Sequence, residues 1–131
     1  MMLLRHGFDE FEVTYAVTKS GLAEREGLAA VIIPDFNARE PLRTLMGVLR
    51  IAALVVKLRP EVVISTGAAP GVTALAVGKL MGARTIWVDS IANAQRLSLS
   101  GRIARPLADL WLTQWEHLAR PRGPYFAGAV I

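Results

Sequence analysis

Residues 62–79 read VVISTGAAPGVTALAVGK. The apolar, β-branched run Val62–Ser65 has the pattern of a strand buried on both faces. It passes into a loop holding two glycines and a proline, Thr66–Gly71. From that loop, with no gap, runs a small-residue helical segment, Pro70–Met81, that Gly82 stops. Strand, tight loop and helix make the opening half of a β-α-β unit.

The same alternation extends in both directions. Upstream, Glu12–Thr18 alternates as a strand does, and Lys19–Leu28, punctuated by Gly21 and Gly27, reads as a brief helix or turn. Ala29–Ile33 is a buried-type strand that Pro34 ends. Pro41–Leu58 is a helix, with proline suited to its first turn and Arg59-Pro60 closing it. Downstream, Arg84–Val88 and Leu110–Thr113 are strands, the polar stretch Asp89–Gly101 has room for a short helix, and Ala129–Ile131 reads as a terminal strand. Apolar strands alternating with helices predict a doubly wound, mostly parallel α/β sheet of Rossmann-like type, covered by helices on both faces.

Composition narrows the chemistry. The 131 residues are 53% hydrophobic and carry no linker, repeat or low-complexity tract, so residues 1–131 read as one domain. Cysteine is absent, which excludes disulfides, thiolate metal sites and cysteine nucleophiles. His6 and His117 lack metal-ligand spacing, and neither a metal nor another cofactor is expected. The formal charge of +4 points to an anionic partner. Its basic residues are scattered rather than interleaved with aromatics, which argues against nucleic acid. No signal peptide is visible, and the longest apolar stretch, Leu42–Leu58, is broken by Arg43, Arg50 and Lys57. A cytoplasmic protein is the default expectation.

Ligands of such sheets sit beyond the carboxyl ends of the strands. Three segments fall there: Thr66–Gly71, Asp89–Asn93 and Gln114–His117. In the first, Thr66, Gly67, Pro70 and Gly71 let a ligand approach the backbone at a helix N-terminus, a setting that favours phosphate or a sugar hydroxyl. The plainer reading is that the glycines only permit a tight turn. Neither a G-x-x-x-x-G-K-[ST] nor a G-x-G-x-x-G motif is present. In the second, Asp89 follows a buried strand, and Ser90, Asn93, Gln95, Ser98 and Ser100 crowd behind it. Hydroxyls and amides around one carboxylate suit a polyhydroxylated ligand. Asp89 as the cap of the next helix is the alternative. In the third, Trp111 reads as core and Trp115 as a contact residue, while Glu116 and His117 are acid or base by type.

Arg43, Arg50 and Lys57 recur at intervals of seven, nearly two helical turns, and so form one cationic stripe on an apolar helix. Such a stripe fits docking at an anionic membrane surface; a core helix with one solvated edge also fits.

PEVVISTGAAPG, GARTIWVDSIANAQRLSLSGR and ADLWLTQWEHLA together resemble the asparagine-linked glycosylation protein 14 family, over a span from about Glu12 to the end of the chain. Eukaryotic members are the membrane-associated subunit of a split UDP-GlcNAc transferase acting on dolichol-linked sugars, and bacterial relatives serve polysaccharide assembly. The layout is also similar to the acceptor-binding half of MurG, a lipid-linked GlcNAc transferase of the two-lobed GT-B type. The resemblance implies an acceptor-binding, membrane-associated subunit, peripheral on the inner face of the cytoplasmic membrane. Its partner would be a donor-binding glycosyltransferase subunit that supplies the UDP-sugar. The acceptor would be lipid-linked. Thr66, Gly67, Pro70, Gly71, Ser90 and Asn93 would line the cleft; Trp115, Tyr125, Val130 and Ile131 would lie toward the partner; Arg43, Arg50 and Lys57 would face the membrane.

Asp89 and His117 are the catalytic candidates, with Asp89→Ala expected to lower transfer while sparing the fold. The family also implies a first strand and a Gly-Gly-His-type loop that this sequence does not show, so an N-terminally truncated domain with a gap in its sheet is expected. A non-catalytic scaffold that recruits and activates a separate transferase at the membrane is the alternative.

Overall fold

The computed structural model describes residues 14–17, 30–32, 39–89 and 95–128. Its elements, in chain order, are β1 (Tyr15–Val17), β2 (Ala30–Ile32), α1 (Pro41–Leu58), β3 (Val62–Ser65), α2 (Ala68–Leu80), β4 (Arg84–Val88), α3 (Leu99–Ala104), β5 (Leu110–Thr113), a 3-10 turn (Glu116–Leu118) and β6 (Tyr125–Phe126). The helix at 41–58 and the strands at 62–65, 84–88 and 110–113 lie where the sequence places them. The expected helix or turn at 19–28 and terminal strand at 129–131 fall outside the described residues.

Two departures have local causes. α2 begins at Ala68, two residues before Pro70, because proline is tolerated throughout the first turn, where no intrahelical N–H bond is made. α3 starts only after Ser98, whose hydroxyl accepts a 2.9 Å hydrogen bond from the Gly101 N–H and caps it.

β3, β4, β5 and β6 form a parallel sheet in that order, with Ile64 opposite Ile86, Trp87 opposite Trp111 and Leu112 opposite Tyr125. β1 and β2 pair in parallel as a separate two-stranded sheet. β3 is therefore an edge strand among the described residues.

The register puts Val63, Ser65, Thr85, Trp87, Trp111 and Thr113 on one face, and α2 and α3 pack there. Leu75, Trp87, Ala104 and Trp111 are the centre of that core. Two glycines set how close α2 comes to the sheet. A methyl group at Gly71 would run into the Ser65 hydroxyl, and one at Gly78 would meet Val63 Cγ2 at 2.7 Å. α1 packs beside α2, with Ile51 and Val55 buried against Ala69, Ala74 and Val77. The opposite face of the sheet, with Ile64, Ile86, Val88 and Leu112, is only partly covered by the described residues.

Candidate functional site

All four strands of the larger sheet run parallel, so the segments after β3, β4 and β5 share its carboxyl edge. These segments of the sequence-predicted rim share one edge, and the Gln114 side-chain amide donates to the Asp89 carbonyl oxygen at 3.0 Å. Ser90 and Asn93 lie outside the described residues.

The two glycines of the first loop separate into different roles. Gly71 is held by packing, as above. Among the described residues, Gly67 has nothing within 4 Å of where a Cβ would stand, and its backbone is extended rather than left-handed. Its N–H reaches the Ser65 hydroxyl at 3.4 Å. Among the described residues no side chain caps α2, and Pro70 has no N–H to give, so Ala68 and Ala69 carry the helix's outward-pointing amide donors. Open space above an uncapped helix start leaves room for an anionic or hydroxyl oxygen. Thr66 flanks this opening half-buried, and Pro70 is buried beneath it.

Asp89 is organised differently. It is 1% exposed. Its Oδ1 accepts from the Trp87 indole N–H at 3.2 Å and from the Ser98 hydroxyl at 2.7 Å, and its Oδ2 accepts from the Ser98 backbone N–H at 3.2 Å. Ser98 in turn caps α3, and Gly101, packed under both, leaves no room for a side chain: a Cβ there would lie 2.6 Å from Asp89 Oδ1. Both carboxylate oxygens are therefore spent inside the protein. Asp89 pins α3 and the end of the preceding loop to the tip of β4. The expectation that Asp89→Ala spares the fold does not survive this burial, because the change strands three donors around a void.

His117 is exposed on the 3-10 turn, and its ring lies 5.9 Å from that of half-buried Trp115. Trp111 is core, as read, and donates its indole N–H to the Gly101 carbonyl at 3.0 Å. Tyr125 is exposed on edge strand β6; Val130 and Ile131 lie outside the described residues. β6 and the Trp87–Asp89–Ser98 knot were not anticipated. The spacing of Ser98 and Gly101, a cap three residues before the amide it accepts from, is the signal that would have located α3.

Arg43, Arg50 and Lys57 are all exposed. Arg43 pairs with Glu40 at 3.0 Å. Beside this stripe, α1 exposes Leu42, Leu45, Met46, Leu49 and Val56. α1 precedes a parallel strand and so runs back along the sheet. The exposed leucines of its first half consequently lie toward the carboxyl edge. Among the described residues, no helix is long and apolar enough to cross a membrane.

The family model described as "Oligosaccharide biosynthesis protein Alg14 like" matches residues 37–129. The chain is 40% identical over 80 residues to the UDP-N-acetylglucosamine transferase subunit ALG14 of Yarrowia lipolytica, covering 55% of this chain and 37% of that protein. It is 34% identical over 88 residues to the Mus musculus protein of the same name, covering 59% and 39%. The chain thus spans less than two fifths of these relatives. Among solved structures, Acinetobacter baumannii MurG superposes with a TM-score of 0.66 at 12% identity, over 98% of this chain and 39% of that one. That likeness is one of fold.

Proposed function

This chain belongs to the Alg14-like family of oligosaccharide biosynthesis proteins, and from that premise we propose that it is the acceptor-binding, membrane-associated subunit of a two-chain GT-B-type glycosyltransferase. The sugar moved is GlcNAc-like, its donor a UDP-sugar held by the partner subunit, and its acceptor lipid-linked. The observation that carries this reading is the carboxyl-edge rim: an open Gly67 at an uncapped helix start, beside a loop anchored by Asp89.

In this reading the chemistry is an inverting displacement. A base takes the proton of an acceptor hydroxyl, whose oxygen attacks the anomeric carbon as the nucleoside diphosphate leaves. The α2 amides orient acceptor oxygens by hydrogen bonding, with no change in their own state. Asp89 acts as a positioning residue that fixes the rim. His117, exposed beside Trp115, is this chain's candidate for proton transfer. Trp115 and Tyr125 face the partner.

Support for a peripheral membrane seat comes from α1, where exposed leucines adjoin Arg43, Arg50 and Lys57. A helix of this kind lies in the headgroup region with its apolar side down and its cations on lipid phosphates. Replacing Arg50 and Lys57 with glutamine is expected to weaken sedimentation with anionic vesicles by about tenfold or more, at roughly 1 kcal/mol per residue.

The deciding experiment is reconstitution with a donor-binding subunit and a radiolabelled UDP-sugar. Transfer is expected only with both chains present, and His117→Gln is expected to slow it without weakening the pair. A second reading, a scaffold that recruits and activates a complete transferase, is favoured by the internal engagement of both Asp89 oxygens. It predicts full transfer with His117→Gln and with a bulky residue at Gly67. Transfer by the partner alone at the same rate removes both readings.

A further inference from the structure

α3, the 3-10 turn and the approach to β6 border an open, solvent-facing cavity of about 340 Å³. Arg96, Arg102 and Arg120 line it over an apolar floor that includes Trp111, Leu97 and Pro124. It shares no residue with the loop at the start of α2. Arg120 spends one nitrogen on the carbonyls of His117 and Ala119, at 3.0 and 2.9 Å, which leaves the rest of its fork for another acceptor. Arg105 lies over the Trp111 ring, 5.7 Å from its centroid, and adds a fourth positive charge nearby.

Among the described residues, no carboxylate lines this hollow. From Gln95 to Gly128 the only acids are Asp109 and Glu116. Asp109 is at the opposite edge of the sheet on Lys79, and Glu116 does not line the cavity. Among the described residues, neither Arg96 nor Arg102 has an ion-pair partner. Guanidinium groups brought together without a counter-charge repel one another, and a bound anion relieves that cost. A carboxylate offers two oxygens, which a single arginine fork satisfies. A phosphoryl group presents three and accommodates several forks at once.

We propose that this cavity is a phosphoryl-binding site, in which Arg96, Arg102 and Arg120 hold a phosphate or diphosphate group and the attached body lies against Trp111 and Pro124. The site stands whether or not the chain is a transferase subunit, since it needs neither donor nor partner chain.

Titration of the full chain with inorganic pyrophosphate at low ionic strength, followed by calorimetry, tests it. Saturable one-to-one binding is expected. Arg96→Gln and Arg102→Gln, both surface changes that leave the circular dichroism spectrum intact, are each expected to weaken binding by about tenfold. Arg84→Gln, at the exposed first residue of β4 and away from the cavity, is expected to leave it unchanged. The source of the phosphoryl group is read from vesicles. A preference for phosphatidate over phosphatidylglycerol at equal charge, lost in Arg102→Gln and competed by pyrophosphate, identifies a lipid headgroup. Pyrophosphate binding without that preference identifies a soluble phosphate ester. Absence of both, or an equal loss with Arg84→Gln, overturns the proposal.

Discussion

Asp89 and Asp109 sit at opposite edges of one sheet, and each ties a loop to a neighbouring strand through several hydrogen bonds. Asp109, before β5, accepts from the Thr85 backbone N–H at 3.0 Å and from Lys79 Nζ at 3.1 Å, and its own N–H donates to the Thr85 hydroxyl and carbonyl. The Thr85 hydroxyl donates onward to the Leu107 carbonyl at 2.6 Å. Asp89 does equivalent work at the carboxyl edge through Trp87 and Ser98. The difference is water. Asp89 is sealed, while the Asp109 side chain keeps 50% of its exposure. A sealed carboxylate is stabilising only while every donor around it stays in place; an exposed one can exchange its partners for solvent.

The strongest way to break this contrast is Asp89→Ala. It leaves the Trp87 indole N–H and both Ser98 donors without an acceptor, and is expected to cost roughly 3–4 kcal/mol in urea unfolding. A loss under about 1 kcal/mol, the range of ordinary surface changes, would show that water reaches the knot. Gly101→Ala tests the same knot by crowding it. A Cβ 2.6 Å from Asp89 Oδ1 and 2.9 Å from Ser98 Oγ must displace one of them, at an expected 1–3 kcal/mol, roughly. Ser98→Ala removes one donor and the α3 cap together, with about 1–2 kcal/mol expected from the same unfolding curves.

The smallest effect is expected at the exposed edge, and it is a matter of pH. The Thr85 backbone N–H, followed by the Lys79 side chain, holds the Asp109 carboxyl below its ordinary value. A lowered folded-state value means that the unfolded chain binds the proton more readily. The stabilisation is therefore present above the ordinary carboxyl range and is lost as the pH falls through the lowered value. Asp109→Asn should slightly reduce stability at neutral pH and flatten the acid limb. An acid limb as steep as the parent's would assign that stability to other carboxylates.

Much of the architecture was legible because its signals are local. Proline at position 41 and Arg59-Pro60 bracket α1 within a few residues of sequence, and the runs at 62–65 and 84–88 announce strands without help from elsewhere. β6 was not legible. Its two residues acquire strand geometry by pairing with Leu112 and Thr113, and nothing in Tyr125–Phe126 itself demands it. The site divides in the same way. That the segments after β3, β4 and β5 meet at one edge follows from parallel strands alone. Gly67 and Gly71, identical in sequence, differ only because Ser65 and Trp87 lie beneath one of them.

The sequence by itself determined the kind and order of the elements, and hence which edge of the sheet faces a ligand, since hydrophobic runs and proline or glycine punctuation act over a few residues. Only the tertiary structure decided which polar groups lie inside and which charges gather. Burial of Asp89 depends on Ser98, nine positions away, and the arginine-lined cavity on chain segments more than twenty residues apart. Those environments exist only once the strands have paired.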